Sequence, residues 1–383
     1  MIIQSERVWA TTGFYPLQIE FNDGKITNIY EYNMKDVDMD YGSKRIVPGF
    51  IDMHCHGAYG FDTNYAEEDG LIEWLKNIPS EGVTSLCPTT ITESKDVLLK
   101  AVKNVKKVYD LKPQGASILG IHFEGPYLDM KFKGAQPPEY IAEASVEEFK
   151  EYQEASGNLI KVITMACEHD PNYKLTEYCS ENGVVVSQGH SGANIEQARL
   201  AVLHGAKSMT HIFNGMSRFS HRDNNLVGAA MRFKDTFGEV ICDGNHSTPE
   251  ALNILINSKG YQKVIMITDS LMAKGSPAGT KFIFGGHEIE VYPDGSAHLT
   301  EGNQSLAGST LKVNEGLKLL VERAQIPFYQ AIDLCTVNPA TLLKIDDYKG
   351  KIMVGYDGDV VVLEDDYSVN STFCLGVKVY ESK

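Results

Sequence analysis

The chain has 383 residues, 43% hydrophobic and 22% charged, with a formal net charge of −16; that is an ordinary globular balance, long enough for one large domain with a smaller companion. The acidic balance, with no long Lys/Arg run, argues against a nucleic-acid partner, and no stretch is apolar for long enough to cross a bilayer, so no membrane partner is expected either. Met1 to Glu6 lacks a basic segment leading into an apolar core, so no secretory leader is expected, and seven cysteines without CxxC spacing suit free thiols in the cytoplasm.

Residues 1–47 read as short strands, with Asn22-Asp23-Gly24 turning a hairpin between the alternating runs 17–21 and 25–30. The same texture returns at 358–364 and 372–380. Neither end has enough apolar surface for a core. We therefore expect residues 1–47 and 350–383 to combine in one small β-sandwich. Between them, residues 48–349 alternate strand and helix. Strands are predicted at 50–53, 83–87, 118–123, 160–165, 184–187, 208–212, 239–242 and 264–268, with helices at 67–78, 94–109, 146–155, 194–204, 248–257 and 310–322. Eight such repeats predict an α/β fold, a (β/α)8 TIM-like barrel. A doubly wound open sheet competes, but Gly57-Ala58-Tyr59-Gly60 after the first strand does not match its phosphate-loop fingerprint. Two stretches break the rhythm: 131–140, and a β-hairpin excursion near 281–299.

The carboxyl ends of the strands gather the polar chemistry. Pro48-Gly49-Phe50-Ile51-Asp52-Met53-His54-Cys55-His56-Gly57 reads as a buried strand ending in two histidines. Residues two apart share a strand face, so His54 and His56 can aim at one spot. The third strand ends in His122-Phe123-Glu124-Gly125-Pro126 and the fifth in Gly189-His190-Ser191. The sixth ends in Thr210-His211-Ile212-Phe213-Asn214-Gly215, the seventh is followed by Asp243-Gly244-Asn245-His246, and the eighth ends in Thr268-Asp269-Ser270. A barrel brings all these ends to one face, where active sites form. Singly, each has an ordinary use, such as a helix cap for Asp269 or a packed core histidine for His190. As a set they favour a metal site. Imidazoles with carboxylates, and no thiolate, suit Zn, Fe, Mn or Co, and such an ion brings the pKa of a bound water to about 7. Asp269 can serve as base toward that water and then as acid toward a leaving nitrogen. His246 can polarise the carbonyl under attack. The residues thus point to metal-assisted hydrolysis.

With these residues in place, the chain resembles the amidohydrolase superfamily and, within it, the N-acetylglucosamine-6-phosphate deacetylase family, over essentially its whole length. Besides the strand ends, the likeness rests on Lys133-Gly134-Ala135-Gln136, Ser220-His221-Arg222 and Leu306-Ala307-Gly308-Ser309. HxEGP, THxFN and DGxH in this order are its most specific part. The resemblance implies hydrolysis of the acetamide of N-acetylglucosamine 6-phosphate, with Glu124, His190 and His211 as metal ligands and Asp269 as acid/base. It implies that His246 orients or polarises the acetamide, that Asn214 and Gly215 contact the substrate, and that Arg222 with His221 takes the phosphate. Leu306, Ala307, Gly308 and Ser309 match a loop closing on the sugar. One or two divalent ions are implied, Zn or Fe ahead of Mn or Co, the additional one held by His54, His56 and Asp269 with Glu124 as bridge. A homodimer is implied too, in which phosphate contacts can cross from the neighbouring subunit. Gly215 stands where many members have alanine, and Gln136 where many have histidine; glutamine can still hydrogen-bond the sugar but carries no charge. His122 is expected to pack beside the site, Glu168 to brace the barrel mouth, and Cys55 and Cys242 to face the barrel wall. An N-acetylgalactosamine 6-phosphate or other N-acyl substrate, or a sugar-phosphate sensor without turnover, are the alternatives.

Overall fold

The computed structural model describes residues 1–223, 225–301 and 305–383. Eight parallel strands form the barrel: Phe50–Cys55, Val83–Thr90, Ile121–Glu124, Ile160–Met165, Val185–Gln188, Ser208–Met209, Gly238–Ile241 and Val264–Ile267. The first six are paired in sequence order, and the last two pair with each other. Backbone hydrogen bonds close the circle. Ile212 N–H donates to the Glu239 carbonyl at 2.8 Å, and Asp269 N–H donates to that of His54 at 2.9 Å. Phe50–Cys55 and Val264–Ile267 are buried throughout, as strands under helices on one side and a packed interior on the other must be.

The predicted strand 118–123 is broken in two: Ser117–Ile118 pairs only with the second strand, and the third begins at Ile121. The sixth ends at Met209 because His211 turns into the left-handed region, with φ +28°. All six predicted helices form, within three residues of the expected ends. Lys174–Glu181, Leu226–Arg232, Phe328–Leu334 and Val337–Leu342 are also helical; they span too few turns for a 3.6-residue pattern to stand out.

The two chain ends do combine, but as one continuous sheet. Its order is Val377–Glu381, Val369–Cys374, Val360–Leu363, Arg45–Pro48, Ile2–Trp9, Phe14–Asn22 and Lys25–Glu31, with Met39–Asp40 beside Ile2–Trp9. Arg45–Pro48 pairs with Ile2–Trp9 on one edge and Val360–Leu363 on the other, so no break separates two layers. The sheet curls instead. Lys25 bridges Asp357, Phe21 stacks on Phe373 at 5.8 Å, and Ile3, Ile19, Ile26, Ile46, Val360 and Val362 share one core. Trp9 and Phe14 pack on Phe328 of the barrel, with ring centroids 5.3 and 5.2 Å away.

The excursion has three strands, Lys281–Phe284, His287–Val291 and Ala297–Leu299, because the turns at Gly285-Gly286 and Asp294-Gly295 reverse the chain twice. Its apolar face packs on Ile91, Leu271, Ala273 and Ala307. This lays Phe284 over the barrel mouth, 5.5 Å from the His56 ring. No helix among the described residues is long and apolar enough to cross a membrane.

Candidate active site

The backbone that closes the barrel also assembles the site. Because Asp269 N–H is bound to His54 O, and His56 N–H to Ser270 O at 2.8 Å, the first and eighth strand ends are locked side by side. Asp52 reinforces the lock beneath them, its carboxylate taking the Thr268 hydroxyl at 2.6 Å. His56 Nε2 then lies 3.1 Å from Asp269 Oδ1 and 3.3 Å from Glu124 Oε2. Glu124 Oε1 faces His54 Nε2 at 3.5 Å, His190 Nε2 at 3.5 Å and His211 Nε2 at 3.3 Å. Two groups result, His54 with His56 and Asp269, and His190 with His211 and Glu124, each with ligand atoms mutually within 4.8 Å. His190, His211 and Asp269 all have positive φ, at +50°, +28° and +50°. Non-glycine residues held there cost of order 1–3 kcal/mol each and cluster at functional sites.

The proton positions explain why a cation fits. His190 Nδ1–H donates to the Phe132 carbonyl at 2.8 Å and His211 Nδ1–H to the Asn214 carbonyl at 3.1 Å. Carbonyls only accept, so each ring, when neutral, turns its Nε2 lone pair toward the other, 3.2 Å away. His54 Nδ1–H donates to Glu239 at 3.0 Å, which leaves its Nε2 lone pair facing the carboxylates. His54 Nε2 and Glu124 Oε1 are buried without hydrogen-bond partners. Lone pairs converging on carboxylates in a buried space are the donor set of a divalent-metal site.

Protons can take part of the cation's place. Burial opposes the His56 charge, but Asp269 and Glu124 outweigh it and lift the ring's pKa to about 10. The same contest lifts His211 to about 9. At His54, farther from both carboxylates, burial wins and the pKa falls to about 4. Burial would raise Asp269 and Glu124, yet the imidazoles prevail: Asp269 drops to about 2 and Glu124 lies well below the usual carboxylate range.

A cleft of about 250 Å³ opens above this cluster. His56, Glu124, Gln136, His190, His211, Asn214, Gly215, His246, Asp269, Leu306 and Gly308 all line it. Gln136 is tied at both ends, donating to Glu124 Oε2 at 2.8 Å and accepting from Thr92 N–H at 2.8 Å; one amide hydrogen is left for a ligand. Gly215 has φ +55°, and a Cβ there would meet His190 Nδ1 at 2.9 Å. His54 is fully buried beneath the cleft floor.

Other predicted residues lie elsewhere. The Ala307 side chain packs into the core under the excursion, and the Ser309 hydroxyl is spent on the Thr268 carbonyl. They shape the loop rather than face the cleft. Arg222 and His221 are exposed, with Arg222 Nε 3.1 Å from His221 Nε2, and neither lines the cleft. His122 is committed on both nitrogens, to the Met53 carbonyl at 3.0 Å and Thr164 Oγ1 at 2.7 Å. Glu168 accepts from Ser191 Oγ and Gly192 N–H, bracing the loop after His190.

Sequence reasoning passed over Glu239 and Asp243. Glu239 is fully buried on the seventh strand, against His54; its signal was an acid in an otherwise apolar strand. Asp243 accepts the His246 backbone N–H at 2.8 Å and its Nδ1–H at 2.7 Å, aiming Nε2 outward. Burial would raise the Asp243 pKa, but the His246 bonds lower it. Its signal was the three-residue spacing in Asp243-Gly244-Asn245-His246.

The amidohydrolase family model matches residues 45–379. The chain is 37% identical to N-acetylglucosamine-6-phosphate deacetylase from Bacillus subtilis (strain 168), over 95% of this chain and 93% of that one. It is 32% identical to the Homo sapiens enzyme of the same name, over 92% and 87%. Among solved structures, a variant of N-acetyl-D-glucosamine-6-phosphate deacetylase from Mycobacterium smegmatis, in complex with N-acetyl-D-glucosamine-6-phosphate, superposes with a TM-score of 0.93 at 26% identity over 99% of both chains. The Thermotoga maritima deacetylase gives 0.89 at 27% identity over 100% of both. The chain belongs to the amidohydrolase family, in which it is similar over nearly its whole length to the N-acetylglucosamine-6-phosphate deacetylases of Bacillus subtilis and Homo sapiens.

Proposed function

We propose that this chain hydrolyses the acetamide of N-acetylglucosamine 6-phosphate to glucosamine 6-phosphate and acetate, a step of amino-sugar catabolism. The observation that carries this is the buried convergence of His54, His56, His190 and His211 on Glu124 and Asp269 at the floor of one cleft, in a chain whose full-length relatives bear that name. One or two divalent ions, Zn or Fe ahead of Mn or Co, fit the donor set: one on Glu124, His190 and His211, the other on His54, His56 and Asp269 with Glu124 shared. When bound, such an ion supplies an acidified water and polarises the acyl oxygen.

The chain's own residues do the rest. Asp269, at the rim of the cluster and in the cleft wall, takes the proton of the attacking water and returns it to the departing sugar nitrogen. His246, its Nδ1–H held by Asp243, presents Nε2 to the acetamide from the cleft wall. Gln136, Asn214, Gly215, Leu306 and Gly308 contour the sugar pocket, while Phe284 and Ile91 exclude water from its wall. Ala307 and Ser309 hold the loop that carries Leu306 and Gly308. Arg222 with His221 takes the phosphate, and their place outside the cleft favours a homodimer in which they serve the neighbouring subunit. We divide the chain into 48–349, the hydrolase barrel, and 1–47 with 350–383, the small sheet. Seven buried free cysteines suit a cytoplasmic protein. Acetate release, measured with metal supplied from N-acetylglucosamine 6-phosphate, its galactosamine epimer and the unphosphorylated sugars, tests the proposal. The first substrate is expected to be fastest; no release from any of them overturns it.

A further inference from the structure

We propose that Glu239 is a positioning residue that fixes the His54 ring in the one tautomer able to hold the additional cation, and so sets how many ions the site keeps. The proposal rests on the reading of His54 as a ligand. Glu239 Oε2 accepts His54 Nδ1–H at 3.0 Å, and both side chains are fully buried. Among the described residues His54 Nδ1 has no other partner, and Nε2 has no hydrogen bond at all. Without an acceptor at Nδ1, the neutral ring would put its proton on Nε2, where Glu124 Oε1 and Asp269 Oδ1 lie 3.5 and 3.6 Å away. A proton there occupies the place a cation needs. With Glu239 in position the proton is drawn to the far nitrogen, and the lone pair faces the cluster.

The surroundings leave the ring no other arrangement. His122 packs against it, tilted by 57° with centroids 4.3 Å apart, and has both its own nitrogens committed, so it cannot stand in for Glu239. The His54 carbonyl is held by Asp269 N–H. Glu239 itself is anchored by its strand, its carbonyl accepting Ile212 N–H and its ladder pairing with Ile265. Its other oxygen, Oε1, makes no hydrogen bond, and besides the His211 backbone N–H the His54 ring is the partner this buried carboxylate holds. His190 and His211 take the corresponding tautomer from backbone carbonyls, which no side-chain substitution removes. Loss of Glu239 should therefore weaken the His54 side of the cluster alone.

Two variants test this in the full chain. Glu239→Leu keeps the volume and removes the acceptor; Glu239→Gln keeps an acceptor and removes the charge. Nitrogen-15 spectra of the metal-free protein, with the His54 signal assigned by its loss in His54→Gln, report the tautomer directly. The wild type and Glu239→Gln are expected to show Nδ1–H with a bare Nε2, and Glu239→Leu to lose that signature. Elemental analysis after titration with Zn should show the second equivalent binding roughly 10–100-fold more weakly in Glu239→Leu, with the first unchanged and Glu239→Gln restoring the second. An unchanged tautomer in Glu239→Leu overturns the proposal, as does an unchanged second equivalent in a wild type that binds two. A wild type that binds only one equivalent refutes the two-ion reading instead, and the tautomer then judges Glu239 alone.

Discussion

Two buried clusters of charge in this molecule are built by opposite rules. Where the barrel chain runs into the small sheet, Lys349 Nζ lies 2.8 Å from Asp357 and 2.6 Å from Asp359. Asp357 also meets Lys25 at 2.6 Å, and Asp359 takes the Leu375 N–H at 2.8 Å. Two carboxylates meet two ammonium groups, and the set closes on itself. Burial opposes the Lys349 charge, but Asp359 and Asp357 prevail and hold its pKa above the ordinary lysine value. At the barrel mouth, Glu124, Asp269 and Glu239 pair with imidazoles and with no ammonium or guanidinium group among the described residues, and His54, His190 and His211, when neutral, turn lone pairs inward. A cluster that supplies its own cations holds the fold together. One that leaves acceptors facing each other is shaped for a cation from outside.

The hardest break of that contrast is at the open cluster. Asp269→Asn keeps the size of the side chain but takes away its ability to accept and return a proton. Turnover should fall by roughly 10²–10⁴-fold, the range of general acid–base catalysis, while the folded far-ultraviolet spectrum stays unchanged. Retained turnover would remove Asp269 from the proton path. The matching break at the closed cluster is Lys349→Met. It leaves Asp359 without an ammonium partner in a buried setting and Asp357 with Lys25 alone, and losing one partner of a buried pair costs about 3–5 kcal/mol. The urea midpoint should drop accordingly, with kcat unaffected at temperatures where the variant is folded. A large kcat loss without a stability loss would mean that the two clusters are not separate in role.

Removing the metal should sharpen the contrast through pH. His56 and His211 have folded pKa values of about 10 and 9, above the unfolded value of about 6.5. Their contribution is complete below that value and is lost as pH rises through 9 to 10. His54, lowered to about 4, acts oppositely and adds stability as pH climbs from 4 toward 6.5. Asp269 and Glu124, both depressed, contribute above the ordinary carboxylate range and lose that contribution in strong acid. On these groups the metal-free chain should be most stable near pH 6.5 and weaken toward pH 10. A bound divalent ion displaces the protons, so the loaded protein should keep its stability through that alkaline window. Urea midpoints at matched pH, with and without metal, check this; parallel curves would mean that the cluster does not exchange protons for an ion.

What was legible in the sequence follows from the same physics. A histidine or acid at the end of an apolar strand stands out, and a barrel must bring such ends together, so His54, His56, Glu124, His190, His211 and Asp269 could be read before any coordinates. Pairings across the barrel could not. Glu239 is 185 residues from His54, and its place in an apolar strand marks it as unusual without naming its partner. The left-handed backbone at His190, His211 and Asp269 was hidden too, since no glycine marks those positions. The small domain was legible in composition but not in connectivity, because the shared strand Arg45–Pro48 that makes it one sheet is short. The fate of 306–309 was illegible for a further reason: a loop motif does not reveal that alternate side chains, Ala307 and Ser309, turn inward.

Arg222 carries the smallest expected effect, and it asks whether the open cluster is complete within one chain. Its guanidinium is exposed and bonded to His221, and it lies outside the cleft walls. A charge-assisted contact to phosphate is worth about 1.5–3 kcal/mol, and an exposed one falls at the lower end through solvent screening. Arg222→Ala should therefore raise KM for the phosphorylated sugar roughly tenfold by that free energy, with kcat nearly unchanged and the unphosphorylated sugar unaffected. If the guanidinium reaches across a dimer, mixing Arg222→Ala chains with Asp269→Asn chains should restore low-KM turnover. The hybrid pairs an intact proton path in one subunit with an intact phosphate clamp from the other. If it acts within its own chain, the mixture should keep the high KM of Arg222→Ala. A KM that Arg222→Ala leaves untouched would take the phosphate away from this loop and point to Lys133, whose Nζ lies 3.1 Å from the carbonyl of Gln136 in the cleft wall.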